Sequence, residues 1–356
     1  MSPPPAVRCS ALTVAYTHEP VLYDVDLTVQ ADEVVAVLGP SGSGKSTLLG
    51  CVAGFVPPRG GEVHLAGRMV ASSNRSVPPE SRDVAVVFQQ YALWPHLSAV
   101  DTVAYPLRRR GVAAAEAHRQ ATELLERMGI AGLAARRPAE LSGGQQQRVG
   151  LARALARAAS VYLFDEPTAH LDTALRSALQ EEMTERRRTG GAAALYATHD
   201  SGEALAVADR VALLRAGRLV QVGTPTQVYE QPVDLWAARL TGPASVLTVP
   251  AEAVGDDKVV LTLGEETIRI DGGRAAGATG EAGTVLVRPE WAELGGPLPG
   301  TVRQTWYRGP HTDYRLDTPA GGIDVRHAGA PTARRGERVT WSLHRAWAIA
   351  GAPGGS

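Results

Sequence analysis

The sequence predicts an α/β cassette with a mixed sheet and a helical insert, followed by a small all-β domain. Three observations carry that expectation. Continuous apolar runs at residues 34–38, 84–88 and 161–164 have the length and composition of buried strands. From Ser98 to about Ala159 the apolar positions change to a 3.6-residue period. Past Leu240, short apolar-polar runs recur between Gly-rich turns, as in a small barrel or sandwich.

Length and composition agree. At about 150 residues per domain, a chain of 356 residues is expected to form two domains. Its 44% hydrophobic and 21% charged residues lie in the ordinary globular range. With 36 basic residues against 37 acidic ones, the chain lacks the basic excess of a nucleic-acid binder, so no nucleic-acid partner is expected. Only Lys45 and Lys258 are lysines, so a lysine in this chain calls for an explanation. Cys9 and Cys51 are too few for a disulfide framework. There is no uninterrupted apolar stretch of about 18 residues, and the opening MSPPPAVRCS has no apolar signal core. The chain is therefore expected neither to span a membrane nor to be exported.

In chain order, residues 7–38 alternate apolar and polar positions and end in the buried run VVAVL. A Gly-rich loop and an apolar helix stopped near Gly54 follow. GGEVHLAGRMV reads as a hairpin turning at Ala66-Gly67. In the helical insert, Ala117, Ala121, Leu124, Leu125 and Met128 share one face. VYLFDE, a helix at about 174–188 and AAALYATHD restore the strand-helix-strand rhythm of a parallel sheet. TGPAS at 241–245 reads as a linker, and KVVLTL, TIRID, GTVLVRP, VRQTWY, DYRLD, IDVRH and RVTWSL as strands. Trp291, Trp306, Trp341 and Trp347 are expected in the core of that second domain. The division expected is 1–240, with a helical subdomain at about 90–159, and 241–356.

The chemistry gathers in a few motifs. Gly39, Pro40, Ser41, Gly42, Ser43, Gly44, Lys45, Ser46 and Thr47 form a complete phosphate-binding loop between a buried strand and a helix. Its glycines let backbone N–H groups converge on a phosphate at a helix N-terminus, Lys45 reaches the outer phosphate oxygens and Ser46 can ligate Mg2+. Asp165 and Glu166 end an apolar strand at the carboxyl edge of the sheet, where such folds bind ligands. Asp165 is expected to hold the Mg2+ shell and Glu166 to polarise the attacking water. Ser142, Gly143, Gly144 and Gln145 follow Leu141 as a capped helix start whose glycines leave N–H groups unobstructed. The runs Arg108–Arg110 and Arg186–Arg188 read as solvated helix ends.

LSGGQ between a phosphate loop and a carboxylate strand resembles the signature of the ATP-binding-cassette (ABC) ATPases. The resemblance covers about residues 7–240. It implies that Gln89, in VFQQYALWPHL, senses Mg2+ and water and contacts a transporter, that Tyr16 stacks on adenine, and that His199 contacts the γ-phosphate. On residue type alone, Tyr16 is also compatible with a half-buried strand tyrosine and His199 is unremarkable. Where the family usually has Ser-Ala-Leu-Asp or Ser-Asn-Leu-Asp after the Glu-Pro step, this chain has Ala169-His170-Leu171-Asp172. The serine hydroxyl is missing, while Asp172 is retained for contact across a dimer and also suits a helix N-cap.

VRPEW and GTVRQTWYRG resemble the C-terminal OB-like (TOBE) domain of bacterial solute-importer ATPases, and VPPESRDVAVVFQQYALWPHL is most similar to ferric-iron and polyamine members. The resemblance implies an ATP- and Mg2+-dependent ATPase on the cytoplasmic face of the membrane. It also implies a head-to-tail homodimer, two transmembrane permease subunits and an extracytoplasmic solute-binding protein. A soluble ABC ATPase acting on ribosomes or DNA would share the nucleotide motifs, as would a separate-subunit exporter ATPase. The near-neutral charge and the β appendix weigh toward import.

Overall fold

The computed structural model describes residues 3–88, 92–167, 183–185, 187, 190–254, 258–263, 266–271 and 279–349. The chain divides into two compact units, Met1–Pro225 and Thr226–Ser356.

The first unit opens with β1 (Val7–Ala15), β2 (Pro20–Val29) and β3 (Val34–Leu38), then α1 (Lys45–Ala53). β4 (Gly60–Leu65), β5 (Arg68–Ser72), β6 (Arg75–Ser76) and β7 (Val84–Val87) follow. The insert supplies α2 (Ala99–Arg109), α3 (Ala114–Arg127) and α4 (Gly143–Ala156). β8 (Val161–Asp165), β9 (Ala193–Thr198), α5 (Ser201–Val207), β10 (Arg210–Arg215) and β11 (Arg218–Gly223) complete it. Of the helix expected at 174–188, only 183–185 and 187 are described, and they are helical.

Two sheets share this unit. One is antiparallel in the order β2-β1-β4-β5-β6, and it takes the expected hairpin, whose turn residues Ala66 and Gly67 both have positive φ. The other runs β11-β10-β3-β9-β8-β7; β7, β8, β9, β3 and β10 pair in parallel, and β11 makes the sheet mixed by joining β10 antiparallel. Alternation along β8 feeds two cores. Val161 and Leu163 join the α1 side, whereas Tyr162 and Phe164 join the side covered by the helical insert. Ala117, Ala121, Leu124, Leu125 and Met128 are all buried on that second side. α1 ends at Gly54 in a left-handed conformation, φ 95°. There the buried Arg82 donates from Nη1 to Cys51 O at 2.8 Å and to Val52 O at 2.7 Å.

The second unit takes α6 (Pro225–Glu230) apart from its first residue, and α7 (Leu235–Thr241). Its strands are β12 (Ser245–Val254), β13 (Lys258–Leu263), β14 (Glu266–Asp271), β15 (Thr279–Val287), β16 (Ala292–Tyr307), β17 (His311–Thr318), β18 (Gly321–Ala328), β19 (Arg338–Leu343) and β20 (Trp347–Ile349). They form sheets β14-β13-β12-β15-β20 and β18-β17-β16-β19 over one core that includes Leu247, Tyr314 and Trp341.

Both helices belong here because Arg288 reaches them. Fully buried, it donates to Tyr229 O at 2.7 Å, Ala238 O at 2.9 Å and the carbonyls of Gly242 and Pro243, each at 3.0 Å. The sequence reading places its boundary at Leu240 and a linker through Ser245; in the structure, that stretch is the end of α7, its Arg288-bound cap and the start of β12. Pro250 within β12 weakens its strand signature, and β20 is too short to show a period. Trp291 and Trp341 are buried and Trp347 is packed against the core, but Trp306 is 36% exposed near the end of β16.

Candidate active site

Three neighbouring parallel strands end together. β9 lies between β3 and β8, with Leu38 opposite Thr198 and Asp165 opposite Ala197. Gly39, Glu166 and His199, each following one of these strands, therefore emerge along the same carboxyl edge. Backbone bonds link the edge: Gly39 N donates to Thr198 O at 3.4 Å and Glu166 N to Ala197 O at 2.9 Å.

The loop 39–47 is shaped by close approach. A Cβ on Gly39 would meet Leu214 O at 2.3 Å, and one on Gly44, whose φ is 106°, would meet Leu22 Cδ2 at 2.6 Å. The first N–H groups of α1 have no intrahelical acceptor, which leaves a positive helix end facing the loop. Ser43 Oγ is buried without a hydrogen-bond partner. An open left-handed Gly42, an unpaired buried hydroxyl and free helix N–H groups fit a phosphate chain.

Lys45 is 5% exposed. Its Nζ donates to Gly39 O at 2.9 Å and Pro40 O at 3.1 Å, and lies 3.8 Å from Glu166 Oε1. Burial pushes its pKa below the ordinary lysine value, against the opposing pull of Glu166 and Asp165. Ser46 Oγ donates to Asp165 Oδ1 at 3.0 Å. Burial raises the Asp165 carboxyl above its usual range, with the Ser46 bond acting the other way and Glu166 adding to the rise. The paired hydroxyl and carboxylate are oxygen donors of the kind Mg2+ takes alongside water and phosphate. Glu166 sits at φ 49°, and His199 Nδ1 lies 3.0 Å from its Oε1.

Tyr16 is 63% exposed, with its hydroxyl 3.3 Å from Thr47 Oγ1, so its ring stands clear at the loop. Ser142 caps α4 in a reciprocal capping box: Ser142 N donates to Gln145 Oε1 at 2.9 Å and Gln145 N to Ser142 Oγ at 3.4 Å. A Cβ on Gly143 or Gly144 would meet nothing within 4 Å. α4 packs on α2, α3 and β7, so these residues stand in the helical insert. Gln89 and Asp172, together with Ala169, His170 and Leu171, lie outside the described residues.

Sequence reasoning missed three features. Gln147, buried on α4, donates to Pro167 O just beyond Glu166. Glu203 on α5 binds Tyr196 and Thr198 at the end of β9. A groove of about 790 Å³ beside Phe88 and Ala92 is lined by Phe55, Trp94, Tyr105, Arg109 and Arg153. In the groove, the Phe55 and Phe88 rings meet at a tilt with centroids 5.3 Å apart, Trp94 and Tyr105 likewise at 4.8 Å, and Arg153 lies over Trp94. Only the exposed aromatics could have signalled it in advance, and their pairing needs the fold.

A phosphate-cradling loop beside a Ser-Asp pair and a Glu-His pair, with a separately capped helix in an insert, defines a P-loop ATPase cassette. The ABC transporter family profile matches residues 22–169 and the TOBE domain profile matches 285–350. The chain is 40% identical over 308 residues to the Fe(3+) ions import ATP-binding protein FbpC of Agrobacterium fabrum, covering 85% of each chain. It is 39% identical to the spermidine/putrescine import ATP-binding protein PotA of Rubrobacter xylanophilus, over 99% of this chain and 95% of that one. A solved dimeric ATP-binding cassette in a post-hydrolysis state bound to ADP and Pi superposes with a TM-score of 0.56 at 29% identity. That match covers 62% of this chain and 98% of the other. The chain belongs to the ABC transporter ATP-binding proteins and carries a C-terminal TOBE domain. It is an ATP-binding, ATP-hydrolysing subunit of that family. Among the described residues no helix is long and apolar enough to cross a membrane.

Proposed function

We propose that the chain energises solute import as a head-to-tail dimer, each ATP lying between one subunit's loop 39–47 and the other's Ser142 and Gly144. The observation that carries this reading is the adjacency of the Ser46–Asp165 and Glu166–His199 pairs, both bridged by about 3.0 Å, beside the buried Lys45. Ser46 and Asp165 would hold Mg2+ with Gln89, and the bound ion would offset phosphate charge. Lys45 leaves its loop carbonyls for the β/γ-phosphate oxygens. Glu166 accepts the proton of the attacking water, while His199 orients Glu166 and contacts the terminal phosphate. Tyr16 stacks on adenine, and Asp172 contacts the opposing subunit.

Two transmembrane permease subunits bind from the membrane side, placing the chain on the cytoplasmic face, and the groove beside Phe88 is their docking site. Its exposed Phe55 and Tyr105 support this, since paired aromatics at a surface favour a partner. An extracytoplasmic solute-binding protein supplies ferric iron or a polyamine, the solutes in the names of the relatives.

Glu166→Gln tests the catalytic core. Turnover falls about 10²- to 10⁴-fold, ATP affinity is retained, and ATP traps a dimer visible by ultracentrifugation. Near-normal turnover with no ATP-dependent dimer removes Glu166 from the role. Import is tested by ATPase stimulation of the reconstituted permease complex with solute-binding protein loaded with ferric iron or with spermidine.

A further inference from the structure

The turn that carries His199 is held by a residue outside every motif recognised in the sequence. Tyr196 and Thr198 are two apart on β9, so both side chains leave the same face of the strand. Both hydroxyls end on one carboxylate. Thr198 Oγ1 donates to Glu203 Oε2 at 2.6 Å, and the Tyr196 hydroxyl donates to Glu203 Oε1. Asp200 N donates to Thr198 Oγ1 at 3.0 Å, and Glu203 N donates to Asp200 Oδ1 at 2.9 Å.

These bonds form a modified helix cap. In a simple capping box the third-position carboxylate accepts the N-cap N–H directly. Here Asp200 is the N-cap of α5, and the Thr198 hydroxyl stands between its N–H and Glu203, accepting from one and donating to the other. The ring of bonds pins both neighbours of His199, whose own ring meets Glu166. Tyr196 and Thr198 are buried, and Glu203 borders a cavity of about 550 Å³ together with Tyr196, Phe164, Val34 and Val207. Hydrogen bonds to two strand hydroxyls and to the helix cap therefore hold Glu203 in this position.

We propose that Glu203 is a positioning residue for hydrolysis, its carboxylate fixing the 198–200 turn so that His199 stays in reach of Glu166. The proposal rests on the role of His199 given above. The test is a double-mutant cycle of His199→Ala and Glu203→Ala in the full chain, with kcat, KM and ATP affinity measured and folding checked by thermal melting. Glu203→Ala is expected to lower kcat about tenfold or more with ATP affinity and KM little changed. Glu203→Gln recovers most of the rate, because its carboxamide accepts one hydroxyl and donates to the other. The double variant is no slower than His199→Ala, since nothing remains to be positioned.

Losses that multiply in the double variant, or a folded Glu203→Ala with full kcat, overturn the proposal. If Glu203→Ala does not fold, a Glu203→Gln rate as low as that of His199→Ala overturns it, and near-full recovery supports it. A His199→Ala variant with undiminished turnover refutes the assigned role of His199 and takes the proposal with it, so the two failures are distinguishable.

Discussion

Both units bury an arginine among backbone carbonyls, and the first also buries a lysine in different company. In the second unit, Arg288 is fully enclosed by carbonyl oxygens at the ends of α6 and α7, with its guanidinium 4.1 Å over the Tyr229 ring. Arg82 in the first unit does the same for the end of α1, adding Val77 O and Val70 O to the carbonyls of Cys51 and Val52. Lys45 is also buried, yet it has only two loop carbonyls and faces two carboxylates, Glu166 and Asp165. A guanidinium saturated by backbone oxygen has nowhere else to go, and its work is to end helices. An ammonium with partial satisfaction on a Gly-rich loop can exchange those carbonyls for phosphate oxygens.

The comparison breaks first at Arg288. Arg288→Ala strands several buried carbonyls at once, each unmet acceptor costing about 1–3 kcal/mol. The second unit should lose several kcal/mol, at about 1–3 kcal/mol per carbonyl left unmet, read as a lower denaturation midpoint, while ATP affinity by calorimetry is unchanged. Arg288→Lys should rescue little, because one ammonium cannot span carbonyls on both helices. A variant whose ATP affinity fell while its stability held would place Arg288 in the site and end the contrast.

Lys45→Ala has the opposite signature. Losing a charged hydrogen-bond donor to phosphate costs about 1.5–3 kcal/mol, roughly a 10- to 100-fold weaker ATP Kd, with the denaturation midpoint little altered. The buried ammonium titrates below an ordinary lysine, so in the free protein the charge is present at low pH and is lost as pH rises through the depressed value. ATP affinity should accordingly weaken on the alkaline side earlier than an exposed lysine would dictate, and Lys45→Ala should abolish that limb. An identical pH profile in the variant would assign the titration to another group.

What was legible in the sequence follows from the same physics. The loop 39–47 and the capping box at Ser142 are made by residues within a few positions of one another, so spacing alone exposes them. The insert's apolar face was readable because helix period and burial coincide at Ala117, Ala121 and Leu124. Arg82 and Arg288 were invisible: the helix-end carbonyls that they hold lie about 30 and 50 positions away, and an arginine in sequence gives no sign of which carbonyls it will meet. Glu203 was hidden for a related reason. Its partners are near in sequence but on a strand, and only the return of α5 over β9 brings the carboxylate onto Tyr196 and Thr198.

The smallest expected effect tests whether enclosure, rather than pairing, is what matters. Arg315 makes a two-pronged cross-strand pair with Asp324, at 2.7 Å from Nε and 2.6 Å from Nη2, a geometry at least as good as any bond Arg288 makes. The difference is solvent: Arg315 is 44% exposed, so water replaces its bonds when they break. Arg315→Ala should cost under about 1 kcal/mol, and that cost should shrink as salt is added, whereas the Arg288→Ala deficit should be nearly salt-independent. Chemical denaturation by urea at low and high salt on both variants separates the two. If Arg315→Ala proved as damaging as Arg288→Ala at high salt, bond geometry would outweigh enclosure, and the distinction drawn for the enclosed cations would have to be rebuilt on geometry alone.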